Sequence, residues 1–213
     1  MNGWDRYLSI ERDFLVAKEY VSFDLIKTYS DFFSKAVILL GAEIEGCFKQ
    51  ICDGLGKSDA GNMSEYKSTI LGQYPGIVHL RSHMVESQTV FMPFRDWSEE
   101  RLVWWSVYTG VKHSVVDHEA TMGIALNMLA AYQLLLFVIH MQKALKAGLS
   151  GSIETFLLSE SPRLLIPQID LTQGFVGSDS LLHQMFPAIG LMEKLASGSP
   201  DYKILRNKSD CEE

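Results

Sequence analysis

Lys112 and His113 are adjacent at the end of a segment, Glu99 to about Val116, whose spacing predicts a helix. On that helix Trp104, Tyr108, Val111 and Val115 form an apolar stripe. Ser106, Thr109, Gly110 and His113 recur on a second face at three, four and seven residues. The second face is small and polar, so a ligand or another backbone can come close to it. Asp117, four residues beyond His113, is placed to orient the ring if the helix continues that far. The plainer reading is a helix–helix contact containing a hydrogen-bonded histidine, and the residues leave both open.

A second candidate is Glu43. Ala36, Leu40 and Cys47 put it at the edge of the apolar stripe of an earlier helix, where a part-buried carboxylate seeks Lys112, His113 or an arginine, or serves only in a structural ion pair. Glu45 is expected to face away, forming an i,i+4 pair with Lys49. His79 and His83 have helical metal-clamp spacing, but their segment looks extended and no carboxylate completes a zinc motif, so no metal is expected. A glycine-rich phosphate loop, a nucleophile elbow and paired-cysteine zinc spacings are absent from the sequence, and no cofactor is expected.

The elements that must position these residues are mostly helical. Trp4 to about Val21 carries a helical apolar stripe. Ser30 is placed to cap a second helix whose stripe includes Phe33, Val37, Leu40, Ile44, Phe48 and Ile51 and which ends at Gly54 and Gly56. Ser64 could cap a short helix through Leu71. Tyr74 to Asp96 is broken by prolines and glycine, with extended pieces at Ile77 to Leu80 and Thr89 to Met92 that suit a small hairpin or an ordered loop. Asp117 then precedes a long helix reaching Ala147 that is apolar nearly all round and so must be surrounded. The expected fold is a mainly α, up-and-down bundle over residues 1–148 with this long helix central. An irregular arm, 149–213, packs on the bundle or on a partner subunit.

Within that long helix, Met122 to Met141 lacks Asp, Glu, Lys and Arg and reaches membrane-span length. Asn127, Tyr132, Gln133 and His140 favour a buried helix instead, and no membrane association is expected. The 213 residues are 47% hydrophobic and 21% charged, an ordinary globular balance. A net charge of −7 repels polyanions unless a local cationic patch intervenes. Three cysteines without a framework spacing, and a start without an apolar leader, point to the cytoplasm.

The segment Trp104-Trp105-Ser106-Val107-Tyr108-Thr109-Gly110-Val111-Lys112-His113, followed by a long apolar helix, resembles bacterial members of the HEPN superfamily. The stretch Ala42-Glu43-Ile44-Glu45-Gly46-Cys47-Phe48-Lys49 resembles the acidic helix of those bundles, and the likeness spans residues 4–147. It implies a helical bundle that homodimerises, with active faces meeting across the dimer. It also implies a metal-independent endoribonuclease of the toxin or phage-defence type, with RNA as substrate and a cognate antitoxin-like protein as partner. His113 and Lys112 would then be catalytic, positioned by Tyr108 and Glu43. The superfamily's arginine, four to six residues before its histidine, has no counterpart here, and Arg101 lies outside that spacing. The rival implication is a HEPN-like RNA- or nucleotide-binding protein, or a dimeric scaffold, without catalysis.

Overall fold

The computed structural model describes residues 3–20, 26–84, 87, 89–113, 120–146 and 165–168. Five helices dominate: α1 (Gly3–Tyr20), α2 (Ile26–Gly54), α3 (Met63–Gln73), α4 (Val103–His113) and α5 (Met122–Lys146). A single 3-10 turn, Pro75–His79, leads into a sheet of β1 (Arg81–Met84), β2 (Val90–Phe91) and β3 (Leu165–Gln168). The order is β2-β1-β3 with both pairings antiparallel; of the two alternatives, hairpin or ordered loop, a hairpin forms between β1 and β2, and it gains a third strand from the segment assigned to the arm. The rest of the arm, and Asp117, lie outside the described residues.

α5 is the centre of the bundle, as its apolar circumference requires. It packs along α2 and is also contacted by α1, α4, β1 and β3. Ala125, Met128 to Leu135 and Met141 on α5 are buried. The window Met122–Lys143 is long and apolar enough to cross a membrane, but 72% of it is buried inside the fold. Its polar side chains are bonded inward: Gln142 Nε2 donates to Ile51 O at 3.2 Å, and Lys146 Nζ reaches Gly54 O. Gln142 thus shares Ile51 O with the Leu55 N–H, which reaches it at 3.1 Å, while Lys146 serves a carbonyl at the C-terminal end of α2.

Two expected caps are corrected. Ser30 lies inside α2, whose first turn begins at Ile26. Asn62, rather than Ser64, caps α3: its Oδ1 accepts from the backbone N–H groups of Ser64 and Glu65, both at 3.1 Å. Asparagine outranks a serine two residues later because its side chain sits where the orphan N–H groups converge. The expected extended piece at Ile77 to Leu80 is largely the 3-10 turn, initiated by Pro75.

A closed polar network pins β3 to the bundle. The Ser82 hydroxyl donates to Gln133 Oε1 at 2.7 Å, and Gln133 Nε2 donates to the Tyr7 oxygen at 2.9 Å and to Leu165 O at 2.8 Å. Tyr7 in turn donates to Glu11 Oε1 at 3.0 Å, which also accepts from Leu165 N at 3.2 Å. All five residues are buried. Buried polar groups are tolerable when each has a partner, and here sequence positions 7, 82, 133 and 165 are joined in one unit.

Burial, and then the Glu11 charge, raise the Tyr7 pKa well above its usual value. Burial and the Glu43 charge raise that of Tyr132. A raised tyrosine pKa favours the neutral form in the folded chain, so this contribution is complete below the ordinary value near 10 and is lost as pH rises beyond it. Thermal midpoints are expected to be level from pH 8 to about 9.5 and to fall steeply from about pH 10 to 11. A midpoint unchanged at pH 11 would show that these hydroxyls are not held as described.

Candidate functional site

The sequence Gly41-Ala42-Glu43-Ile44-Glu45 determines how α4 sits on α2. Gly41 gives α2 a bare spot onto which the Tyr108 ring lies; a Cβ there would fall inside van der Waals contact with several ring atoms. Glu45, one turn further along the same helix face, receives the Tyr108 hydroxyl at Oε2, 3.2 Å away. Trp105 closes the other side of the ring edge-on, at 5.1 Å between centroids. Behind it an aromatic group of Phe48, Tyr66, Phe94, Trp97 and Trp104 fills the space between α2, α3 and α4. Trp104 Nε1 is satisfied by Pro93 O at 2.8 Å. Tyr108 is therefore fixed on every side except toward solvent at Lys112.

Lys112 Nζ stands 5.4 Å from the Tyr108 ring centroid and 3.8 Å from Glu45 Oε2. The Tyr108 hydroxyl first, and the Glu45 charge after it, raise the Lys112 pKa, while burial raises that of Tyr108. The ammonium is thus charged at all physiological pH values and held in one place, yet 47% of its side-chain surface remains open. His113 follows at the helix end and is exposed. An exposed imidazole next to a positioned ammonium can meet a phosphate without any rearrangement of the core.

The small polar face of α4 partly closes on itself. Thr109 Oγ1 donates within the helix, to Trp105 O and Ser106 O, both at 3.0 Å, and Ser106 Oγ donates to Leu102 O at 3.4 Å. Arg101 changes the picture drawn from spacing. Its Nη2 donates to Thr109 Oγ1 at 3.3 Å, so the guanidinium folds forward along α4 to within one turn of His113. A second cation therefore serves this face from a position that the sequence spacing excludes.

The two glutamates exchange the parts expected of them. Glu43 does find an arginine: Arg6 Nη1 lies 3.0 Å and 3.1 Å from its two oxygens, and Tyr132 donates to Oε2 at 3.2 Å. That cluster joins α1, α2 and α5 and does not include Lys112 or His113. Glu45, expected to face away, is the carboxylate that Tyr108 and Lys112 share. The cause is the breadth of the α2 interface: α3, α4 and α5 all pack on it, so residues flanking the main stripe are also contacted. Glycine at 41 with a carboxylate at 45 was the available signal, because i and i+4 side chains share a face.

His79 and His83 fall on the 3-10 turn and on β1, not on one helical turn. Among the described residues no group of three His, Cys, Asp or Glu side chains converges as a metal site. A surface concavity of about 470 Å³ between the end of α2 and α3, bordered by Lys57, Asp59, Glu65 and Thr69, contains none of the Tyr108–Lys112 cluster. Cys47 is buried and its thiol is pushed up to about 12 by that burial, which removes it as a nucleophile. No family model, no curated protein and no solved structure matches this chain.

Proposed function

We propose that the chain is a HEPN-like, metal-independent endoribonuclease of the toxin or phage-defence type, acting at the exposed end of α4. The observation that carries this reading is the solvent-facing Lys112–His113 pair, with Lys112 held by Tyr108 and Glu45. In the reaction an RNA 2′-hydroxyl attacks the adjacent phosphorus, forming the O2′–P bond as the P–O5′ bond breaks. The products are a 2′,3′-cyclic phosphate and a 5′-hydroxyl. His113 either takes the 2′ proton, with water protonating the departing O5′, or protonates O5′, with water taking the 2′ proton, and Lys112 offsets the charge of the phosphorane. Arg101 supplies the second positive charge along the same helix.

A second reading shares the same site: an RNA- or nucleotide-binding protein that does not cleave. Two observations favour it. Glu45 already neutralises much of the Lys112 field, and the site is an open surface rather than a cleft that excludes water. Both readings require contact with phosphate. In anisotropy titrations with labelled single-stranded RNA, Lys112→Ala and Arg101→Ala are each expected to weaken binding by roughly three- to tenfold at low salt and to reduce the salt slope by about one. Affinities that do not change would remove α4 from RNA recognition under either reading.

A further inference from the structure

Lys112 and Arg101 are the two permanent cations that serve the α4 face, and among the described residues only Lys112 has a carboxylate beside it. Asp96, Glu99 and Glu100 stand just before Arg101 in the sequence, yet none of them pairs with it. They lie on a turn in which Asp96 O accepts from the Glu99 and Glu100 N–H groups, and all three are exposed. Arg101 instead gives an N–H to a neutral acceptor, the Thr109 hydroxyl, at 3.3 Å. Thr109 is fitted for this because its own proton is committed inside the helix, to Trp105 O and Ser106 O, which leaves its oxygen to accept. The guanidinium is therefore positioned without being neutralised, on an exposed residue whose remaining N–H donors have no acceptor among the described residues.

Thr109 fixes where that charge sits. It precedes His113 by four residues, about 6 Å along the helix axis. Lys112, at the helix end, is drawn towards Glu45 on α2. The α4 surface thus presents positive charge at two levels, Lys112 beside His113 and Arg101 about one turn before them. Consecutive phosphates of one polynucleotide strand are separated by a comparable distance. In a chain of net charge −7, the uncompensated attraction for an anion on this face lies one turn away from the imidazole.

Resting on the reading that the end of α4 meets RNA phosphate, we infer that Arg101, seated on Thr109, is a second phosphate subsite. It binds the phosphate next to the one at Lys112–His113 along the same strand, so the site recognises two consecutive phosphates. The ligand is an oligonucleotide of at least three nucleosides, and a dinucleoside monophosphate fills the reacting position alone. Arg101 is a positioning residue, because it holds the strand away from the reacting atoms. Contact with a phosphate that does not react is made equally in the ground and transition states, so it lowers KM and leaves kcat. A guanidinium can take two oxygens of that phosphate at once, whereas an ammonium meets it as a point charge.

Trinucleotides with one cleavable linkage test this on the full chain. The second linkage, on the 5′ or the 3′ side, is protected by a 2′-O-methyl group and made either as an ordinary phosphodiester or as a neutral methylphosphonate. On one of the two sides, neutralising it is expected to raise KM by roughly three- to tenfold with kcat changed by less than about twofold. In Arg101→Ala the charged and neutral substrates should have the same KM, and Arg101→Lys should keep part of the difference. A neutral linkage without effect on either side, or a penalty that persists undiminished in Arg101→Ala, would overturn the subsite and leave cleavage at His113 standing. The same comparison on affinity, with fully 2′-O-methylated trinucleotides, covers a chain that does not cut. An Arg101-dependent preference for the charged linkage without cleavage of any RNA would keep the subsite and end the nuclease reading. Neither cleavage nor a charge-dependent affinity would overturn both.

Discussion

Replacing Gly41 by alanine is expected to destabilise the chain by about 3 kcal/mol, although the same change in an ordinary helix interior is stabilising. The added methyl group would occupy the space of the Tyr108 ring, with backbone on one side and Trp105 on the other. Neither the ring nor the helix can yield cheaply, because Tyr108 is buried and its hydroxyl is bonded to Glu45. For a chain of this size the thermal midpoint should fall by roughly 6–12 °C. The control is Gly72→Ala in α3, where the new Cβ meets nothing; it should leave the midpoint unchanged or raise it slightly. Equal effects at the two glycines, measured by thermal unfolding, would contradict the close approach of α4 to α2. Displacing Tyr108 also releases Lys112, so the folded fraction of Gly41→Ala should bind RNA less tightly.

The second large effect is expected at Gln133. Gln133→Leu preserves approximate volume but removes the three bonds that Gln133 makes, to the Ser82 hydroxyl, the Tyr7 oxygen and the Leu165 carbonyl, all of them buried. Each lost buried bond costs about 1–3 kcal/mol, so a total loss of about 3–5 kcal/mol is expected. The loss should also be local in character. Because Gln133 and Glu11 hold Leu165 from both its carbonyl and its N–H, amide exchange in β3 and β1 should accelerate before that of α2. Exchange that rises evenly over the whole chain would show that the network is not what attaches β3. Ser82→Ala removes one partner and should cost less, about 1 kcal/mol.

The helices were legible because their apolar residues recur with helical period, and α5 was legible as the centre because it has no polar face to present to water. The break at Pro75, Gly76 and Pro93 left a hairpin and an ordered loop equally open, and the first strand lies at Arg81–Met84 rather than at Ile77 to Leu80. The third strand was not legible: Leu165–Gln168 is four residues long, lies in a proline-containing stretch, and owes its place to a glutamine and a glutamate more than thirty positions away. Ser30 shows the limit of capping residues as markers, since a serine can also occupy an early helical turn. At the candidate site Tyr108, Lys112 and His113 were readable as neighbours on one helix. The carboxylate that completes the group was misassigned, because a single-stripe reading of α2 hides contacts made at the stripe's flank. Arg101 was missed for a related reason. Residue spacing measures where backbones are, whereas an arginine side chain can run several ångströms along the helix axis to act elsewhere.

The central claim, that His113 cleaves RNA at the end of α4 without a metal, is tested most directly by incubating end-labelled single-stranded and structured RNA with the full chain in EDTA, beside a folded His113→Ala variant. The account predicts cleavage by the wild type, products ending in a 2′,3′-cyclic phosphate, and a loss of about a hundredfold or more in the variant, the scale of general acid–base catalysis. Intact RNA in both reactions, or equal cleavage by the two proteins, would contradict it, and intact RNA that is nevertheless bound would leave the α4 face as a recognition surface alone.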